Sequence, residues 1–111
     1  MNLPTSRIAY QKYYEIFDRA ANSSRGIRIE FNTVDEALFF RSRMHQARKI
    51  DRKHNIEIYP DPSHNLHGCS AYDTFTIRAP VRDTEGKWWL YIERNDIVDV
   101  HIEELEEDDT Q

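Results

Sequence analysis

Apolar residues recur along the chain with two different periods, and the switches between them mark out the elements. Ala9, Tyr13, Ile16, Phe17 and Ala20 stand at helical spacing behind Pro4-Thr5-Ser6, where Thr5 or Ser6 can cap the first turn. Tyr10 and Tyr14 fall on a flanking face and are expected to pack half-buried. The polar run Asn22-Ser23-Ser24-Arg25-Gly26 should end that helix, with glycine supplying the unusual backbone angle. Ile27 to Phe31 then alternates strictly, predicting a strand with Ile27, Ile29 and Phe31 facing the core. From Thr33 the helical period returns. Thr33 and Glu36 form a capping-box pair, and no Gly or Pro follows through His54, so one helix of about six turns is expected. Its core stripe is Ala37, Phe40, Met44 and Ala47.

Asn55 to Tyr59 reads as a second strand, with Ile56 and Ile58 inward and Glu57 outward. Strand, helix and strand together predict a parallel, right-handed crossover. Pro60 to Ala71 is irregular, with Gly68 at a turn and Cys69 expected in the core. Tyr72 to Ala79 alternates again, and Asp83-Thr84-Glu85-Gly86 is a hairpin connection to the strand Lys87 to Arg94. In that strand Trp88, Leu90 and Ile92 share one face and Trp89 and Tyr91 the other. Two large aromatics on a nominally wet face imply a cover or a partner, so Trp89 and Tyr91 are the candidate protein-binding residues. Val98, Val100 and Ile102 suggest a last short strand. The expected class is α+β: a single small sheet, made of a β-α-β unit plus an antiparallel hairpin, packed by a leading helix and one long basic amphipathic helix. One domain over residues 1–102 would precede a mobile acidic tail at 103–111.

Charge sharpens this picture. The helical phase places Arg41, His45, Arg48, Lys49 and Arg52 on one continuous basic face beside the core stripe, with Arg43, Lys53 and His54 at its periphery. Residues 41–54 hold six Lys/Arg and one acid, Asp51. A helix dipole alone accounts for acids at the start and cations at the end, but the contiguity of the run points to a polyanion. Arg41, His45, Arg48, Lys49, Arg52 and Lys53 are therefore the candidate nucleic-acid-binding set. The net charge of −5 divides unevenly, +4 over residues 1–60 and −9 over residues 61–111. A basic patch on an acidic chain can still steer a polyanion through its local field.

Composition adds bounds. At 111 residues with 39% hydrophobic and 12% aromatic content, the chain can build one modest core. No apolar run approaches the roughly 20 residues of a membrane span, the start lacks the apolar core of a signal peptide, and Cys69 is a lone cysteine. A cytoplasmic protein is expected. No phosphate-binding glycine loop, nucleophile elbow, CxxC pair or HExxH helix occurs, and no cofactor is expected. His64, His67 and Cys69 follow no standard zinc spacing, so no metal is expected. His64 or His67 could be grouped with Tyr72, Asp73 and Arg41 for acid–base work, but no spacing demands it, and no catalytic residue is assigned.

The stretches RGIRIEF (Arg25 to Phe31), EALFFRSR (Glu36 to Arg43), DRKHNIEIYP (Asp51 to Pro60) and HGCSAYD (His67 to Asp73) resemble small uncharacterised proteins encoded by tailed bacteriophages. The resemblance covers about the middle half of the chain. It implies a setting, action on DNA or on host machinery, rather than a mechanism, and it transfers no catalytic residues. The leading expectation is a non-enzymatic nucleic-acid-binding accessory protein, with DNA or RNA held on the basic helix face. The second is a small inhibitor or adaptor that meets a host protein through its aromatic sheet face or acidic tail.

Overall fold

The computed structural model describes residues 5–96. Two short helices, α1 (Thr5–Ala9) and α2 (Gln11–Ala21), lead into β1 (Gly26–Phe31) and the long α3 (Val34–Ile58). After an irregular stretch come a 3-10 turn (Ala71–Thr74), β2 (Phe75–Ile77), β3 (Val81–Arg82) and β4 (Trp88–Arg94). β4 is the central strand. It pairs antiparallel with β1 on one side and with β2 and β3 on the other, giving the order β1-β4-β2. The α+β class with one small, helix-packed sheet stands as expected. The last strand read at Val98–Ile102 and the acidic tail at 103–111 lie outside the described residues.

Both amphipathic helices pack on the same sheet face. Tyr13, Tyr14, Phe17 and Ala20 of α2 and Met44 and Ala47 of α3 meet Phe75, Ile77, Leu90 and Ile92 of the sheet in one buried cluster. Phe17, Ala20, Met44, Ala47, Leu90 and Ile92 are fully buried. Aromatic rings fill the seam: Phe17 stacks on Tyr72 at 4.8 Å, and Phe40 tilts against both Tyr13 and Phe31 at 5.3 Å. The leading helix is broken once, at Tyr10 (φ −103°, ψ 14°), which turns α1 across the side of α3.

Three expectations change. The strand read at Asn55–Tyr59 is helix, so no parallel crossover exists: every pairing among the described strands is antiparallel. Ile56-Glu57-Ile58 alternates as a strand does, but the helix runs through it and sets the two isoleucines on opposite sides, leaving Ile56, expected inward, 47% exposed. Asn55 holds the helical course by donating its side-chain N–H to the Cys69 carbonyl at 2.6 Å from a buried position. Pro60 then keeps the helix from continuing. The strand read from Tyr72 is shortened to Phe75–Ile77, because Ser70 and Asp73 close a capping box that coils Ala71–Thr74 into a 3-10 turn. Cys69, expected in the core, is exposed.

Gly26 fixes where β1 begins. Its φ is +126°, and a Cβ there would sit 2.1 Å from the Ile92 carbonyl oxygen of β4, so only glycine allows the strands to approach this closely.

Candidate functional site

The basic face of α3 is largely committed to the fold. Arg41 is half-buried and donates from Nε and Nη2 to the Ile77 carbonyl at 3.2 and 3.1 Å, with a further 3.2 Å bond from Nε to the Arg78 carbonyl. Arg48, expected to be exposed, is only 9% exposed. Its Nη1 donates to the Phe75 carbonyl at 2.7 Å, its Nη2 lies 2.9 Å from His45 Nδ1, and its Nε is buried without a partner among the described residues. Arg52 grips Asp73 through Nε at 2.9 Å and Nη2 at 2.5 Å. Three arginines spaced along one helix thus hold the segment from Asp73 to Arg78 against α3. The carbonyls they bind belong to the short β2 and its flanks, where a ladder on one side leaves backbone acceptors open.

Charges in this row act on one another. Burial and the guanidiniums of Arg48, Arg41 and Arg52 hold His45 below its ordinary pKa. Burial and neighbouring Arg52 lower that of Arg48 as well. Burial by itself would raise the Asp73 carboxyl, but the Arg52 bonds and the Ser70 N–H outweigh it and keep the group below the usual carboxylate range. Of the expected nucleic-acid set, only Lys49 and Lys53 are fully exposed. His54, placed at the periphery of that face, is 8% exposed.

The same helix carries a buried polar row one turn further on. Asp51 lies 3.6 Å from Arg7 of α1 and accepts the Ser70 hydroxyl at 2.5 Å. The Arg7 guanidinium sits 3.3 Å over the Tyr14 ring, and Tyr14 donates to the Ala47 carbonyl at 2.7 Å. Burial, with the Asp18 hydrogen bond behind it, pushes the Tyr72 hydroxyl up to about 12. Serine, histidine and aspartate are all present here, yet Ser70, bonded to the Asp51 carboxylate, is 5% exposed, so its hydroxyl faces the interior rather than a substrate. The row anchors α1 and the 66–72 segment to α3.

The residues drawn together for acid–base work do not form one site. Asp73 faces Arg52, Arg41 faces Ile77 and Arg78, and His67 Nδ1 donates to the Tyr59 carbonyl at 2.6 Å. His64 stacks on Tyr59 at 4.3 Å. Among the described residues no three His, Cys, Asp or Glu side chains converge on a point that could hold a metal.

Among the described residues no helix lies over the other sheet face. Register places Arg28 opposite Tyr91, Glu30 opposite Trp89, and Val81 opposite Trp89, so all five side chains share this outer face. Trp89 and Tyr91 are half-buried, whereas Arg28, Glu30, Thr76, Arg78 and Val81 are exposed. What covers the rings is guanidinium. Arg28 lies 4.0 Å over Trp89, and Arg78 lies 5.1 Å from the Tyr91 centroid while pairing with Glu93 at 2.8 Å. The Trp89 indole N–H donates to Asp83 at 2.7 Å, which locks its ring and ties it to the hairpin. The result is a flat, rigid plate of two aromatics, one valine and two arginines, with Glu30 and Glu93 balancing the charge. The sequence pointed to Trp89 and Tyr91 by alternation. It missed Arg28, Arg78 and Val81, which alternation in β1 and the short β3 could have placed there once the pairing was known.

Comparison of the chain with protein-family models, with curated proteins and with solved structures returned no match. Among the described residues no helix is long and apolar enough to cross a membrane.

Proposed function

We propose that the protein is a non-enzymatic protein-binding module, a small inhibitor or adaptor, that docks through the outer sheet face. One observation carries this reading: both amphipathic helices pack on the inner face, while among the described residues the outer face presents Trp89 and Tyr91 with arginine side chains over them. Trp, Tyr and Arg are the residue types in which interface energy concentrates. The partner surface would bring an apolar group over Val81 and Trp89. The balance of Arg28 and Arg78 against Glu30 and Glu93 argues for a protein rather than a polyanion there, since little counterion release would accompany a nucleic acid. The resemblance to phage-encoded proteins makes a host protein the expected partner class.

The nucleic-acid reading keeps one support, exposed Lys49 and Lys53 on α3, with Arg43, also exposed but bonded to the Tyr10 hydroxyl at 2.6 Å, further along the helix. Three phosphate contacts would give a salt slope of only about −3.

A photo-reactive residue at Thr76, exposed on the outer face, separates the two in producing cells. The expected result is one crosslinked protein partner that disappears with Val81→Asp or Trp89→Ala and persists with Lys49→Glu/Lys53→Glu. Crosslinking indifferent to Val81→Asp and Trp89→Ala, together with a low-salt gel shift abolished by the lysine reversals, would overturn this reading in favour of nucleic acid.

A further inference from the structure

β1 is an edge strand whose free side is complementary to itself. Among the described residues its only strand neighbour is β4. The Arg94 N–H donates to the Arg25 carbonyl at 2.9 Å, and with the observed register this fixes the phase of the ladder. Odd-numbered residues of β1 spend their backbone groups on β4. Even-numbered ones, Gly26, Arg28 and Glu30, turn theirs to the open edge, and Gly26 N–H is taken by the Ser23 hydroxyl at 2.8 Å. That leaves the N–H and C=O groups of Arg28 and Glu30, a short template for another strand.

The side chains choose which strand. If a second β1 pairs antiparallel about a two-fold axis through Ile29, Arg28 stands directly opposite Glu30 of the second copy, and Glu30 opposite its Arg28. The phase is right, because in this register the outward-facing backbone groups of both copies meet as hydrogen-bonded pairs. Shifting the axis by one residue sets Arg28 against Arg28 or Glu30 against Glu30, so charge excludes the neighbouring registers. Glu30 makes no hydrogen bond or ion pair among the described residues. The Arg28 guanidinium stacks on the Trp89 ring, and a guanidinium stacked by its face still offers its N–H edge to a carboxylate. On the inner side, Ile27 would face Phe31 of the second copy, and Ile29 its own counterpart. Along the edge lies an open groove of about 530 Å³ in which Ile16, Ile27, Ile29 and Phe40 stand beside Arg19, Arg28 and Glu30, a mixed apolar and charged seam that such a pairing would close.

We infer that the protein forms a two-fold dimer through its β1 edges, joining two four-stranded sheets into one continuous sheet with Arg28–Glu30 ion pairs between the copies. The inference stands apart from the docking reading above. It would double the aromatic plate, setting two Trp89–Tyr91 patches on one side of the joined sheet.

Sedimentation velocity over a concentration series tests it with the full chain. The wild type is expected to dimerise. Arg28→Glu or Glu30→Arg alone should each weaken dimerisation at least about tenfold, because two attractive pairs become repulsive ones. An equimolar mixture of the two variants should dimerise again, since acid then faces base across the joint. Glu30→Pro, which removes an edge N–H without touching the β4 ladder, should also be monomeric. A wild type that stays monomeric at the highest concentration overturns the inference, whether or not an unrelated extended peptide binds β1. So does a dimer that survives both charge reversals, or single variants that remain monomeric on mixing while folded by circular dichroism.

Discussion

Replacing Arg48 by methionine tests whether the basic helix face is architecture or ligand site. Methionine keeps the length of the stem and removes only the guanidinium. The lost bond to the Phe75 carbonyl is short, 2.7 Å, charge-assisted and buried, and such bonds contribute about 1.5–3 kcal/mol. The carbonyl left behind is then short of a partner next to fully buried packing, a cost of about 1–3 kcal/mol that overlaps the first figure. The 3.4 Å contact to the Tyr72 carbonyl adds little. Against this, methionine escapes the cost of burying a charge that has no carboxylate in contact, and Nε no longer lacks a partner. The balance is a loss of about 2–3 kcal/mol, which for a domain of this size lowers Tm by roughly 10–25 °C. Urea unfolding followed by the fluorescence of Trp88 and Trp89 reads this directly. Lys49→Met, at an exposed position one residue further along, should stay within about 0.5 kcal/mol of wild type. Equal effects of the two substitutions, or no effect of Arg48→Met, would refute the assignment of Arg48 to the fold.

Three further expectations follow the same logic. His45 is held below its ordinary pKa, so the folded chain resists a proton that the unfolded chain accepts near pH 6.5; stability should fall as pH drops from about 7 toward the folded value, and His45→Gln should flatten that slope. Asp73 is shifted the same way for the opposite charge type, and its contribution should be lost only below the usual carboxylate range, as pH falls through its lowered folded value, with Asp73→Asn removing that acid-side loss in a thermal-melt series. Gly26→Ala should destabilise severely, by more than about 3 kcal/mol, since the added methyl meets backbone rather than a movable side chain; a melting point within a few degrees of wild type would show that β1 and β4 can separate there.

Where one local rule dominates, the sequence was legible. Thr33 accepts the Glu36 N–H at 3.2 Å, the N-cap half of the expected capping pair, and the strict alternation of β4 sorted Leu90 and Ile92 from Trp89 and Tyr91 correctly. It failed where a short alternation was overridden. Ile56-Glu57-Ile58 follows the strand period, yet the preceding helix carries on through it and leaves Ile56 exposed, with Asn55 reaching Cys69 across the loop. It failed also where polarity was taken as a proxy for exposure. Arg48, Asp51, His54 and Asn55 continue the phase of Met44 and Ala47 down the inner side of α3, and all are buried. That continuity was visible in the sequence. What was not visible was the set of acceptors, the carbonyls of Phe75 and Ile77 some thirty residues away, which make burial of a guanidinium tolerable.

The two candidate surfaces differ most in what it costs to make them available. To contact a phosphate, Arg48 would have to leave the Phe75 carbonyl, forfeiting about 2–3 kcal/mol of fold stability before any gain. Arg41 would release the Ile77 carbonyl, and Arg52 would release Asp73. The net return from one phosphate contact in water does not cover such losses. On the outer sheet face the rings of Trp89 and Tyr91 are already positioned by the ladder on both sides of β4, and the Trp89 indole is fixed by Asp83. Only side chains need move. Lifting the Arg28 guanidinium from the Trp89 ring costs about 0.5–1 kcal/mol, and the solvent-exposed Arg78–Glu93 pair is screened by water and holds Arg78 only weakly. A partner that buries Val81 and the larger part of one aromatic side chain recovers more than that from desolvation alone, at about 25 cal/mol per Å² of apolar surface. The arginines Arg41, Arg48 and Arg52 of α3 are already engaged in the fold, whereas the charges of the sheet face balance one another and its aromatics are held at little expense.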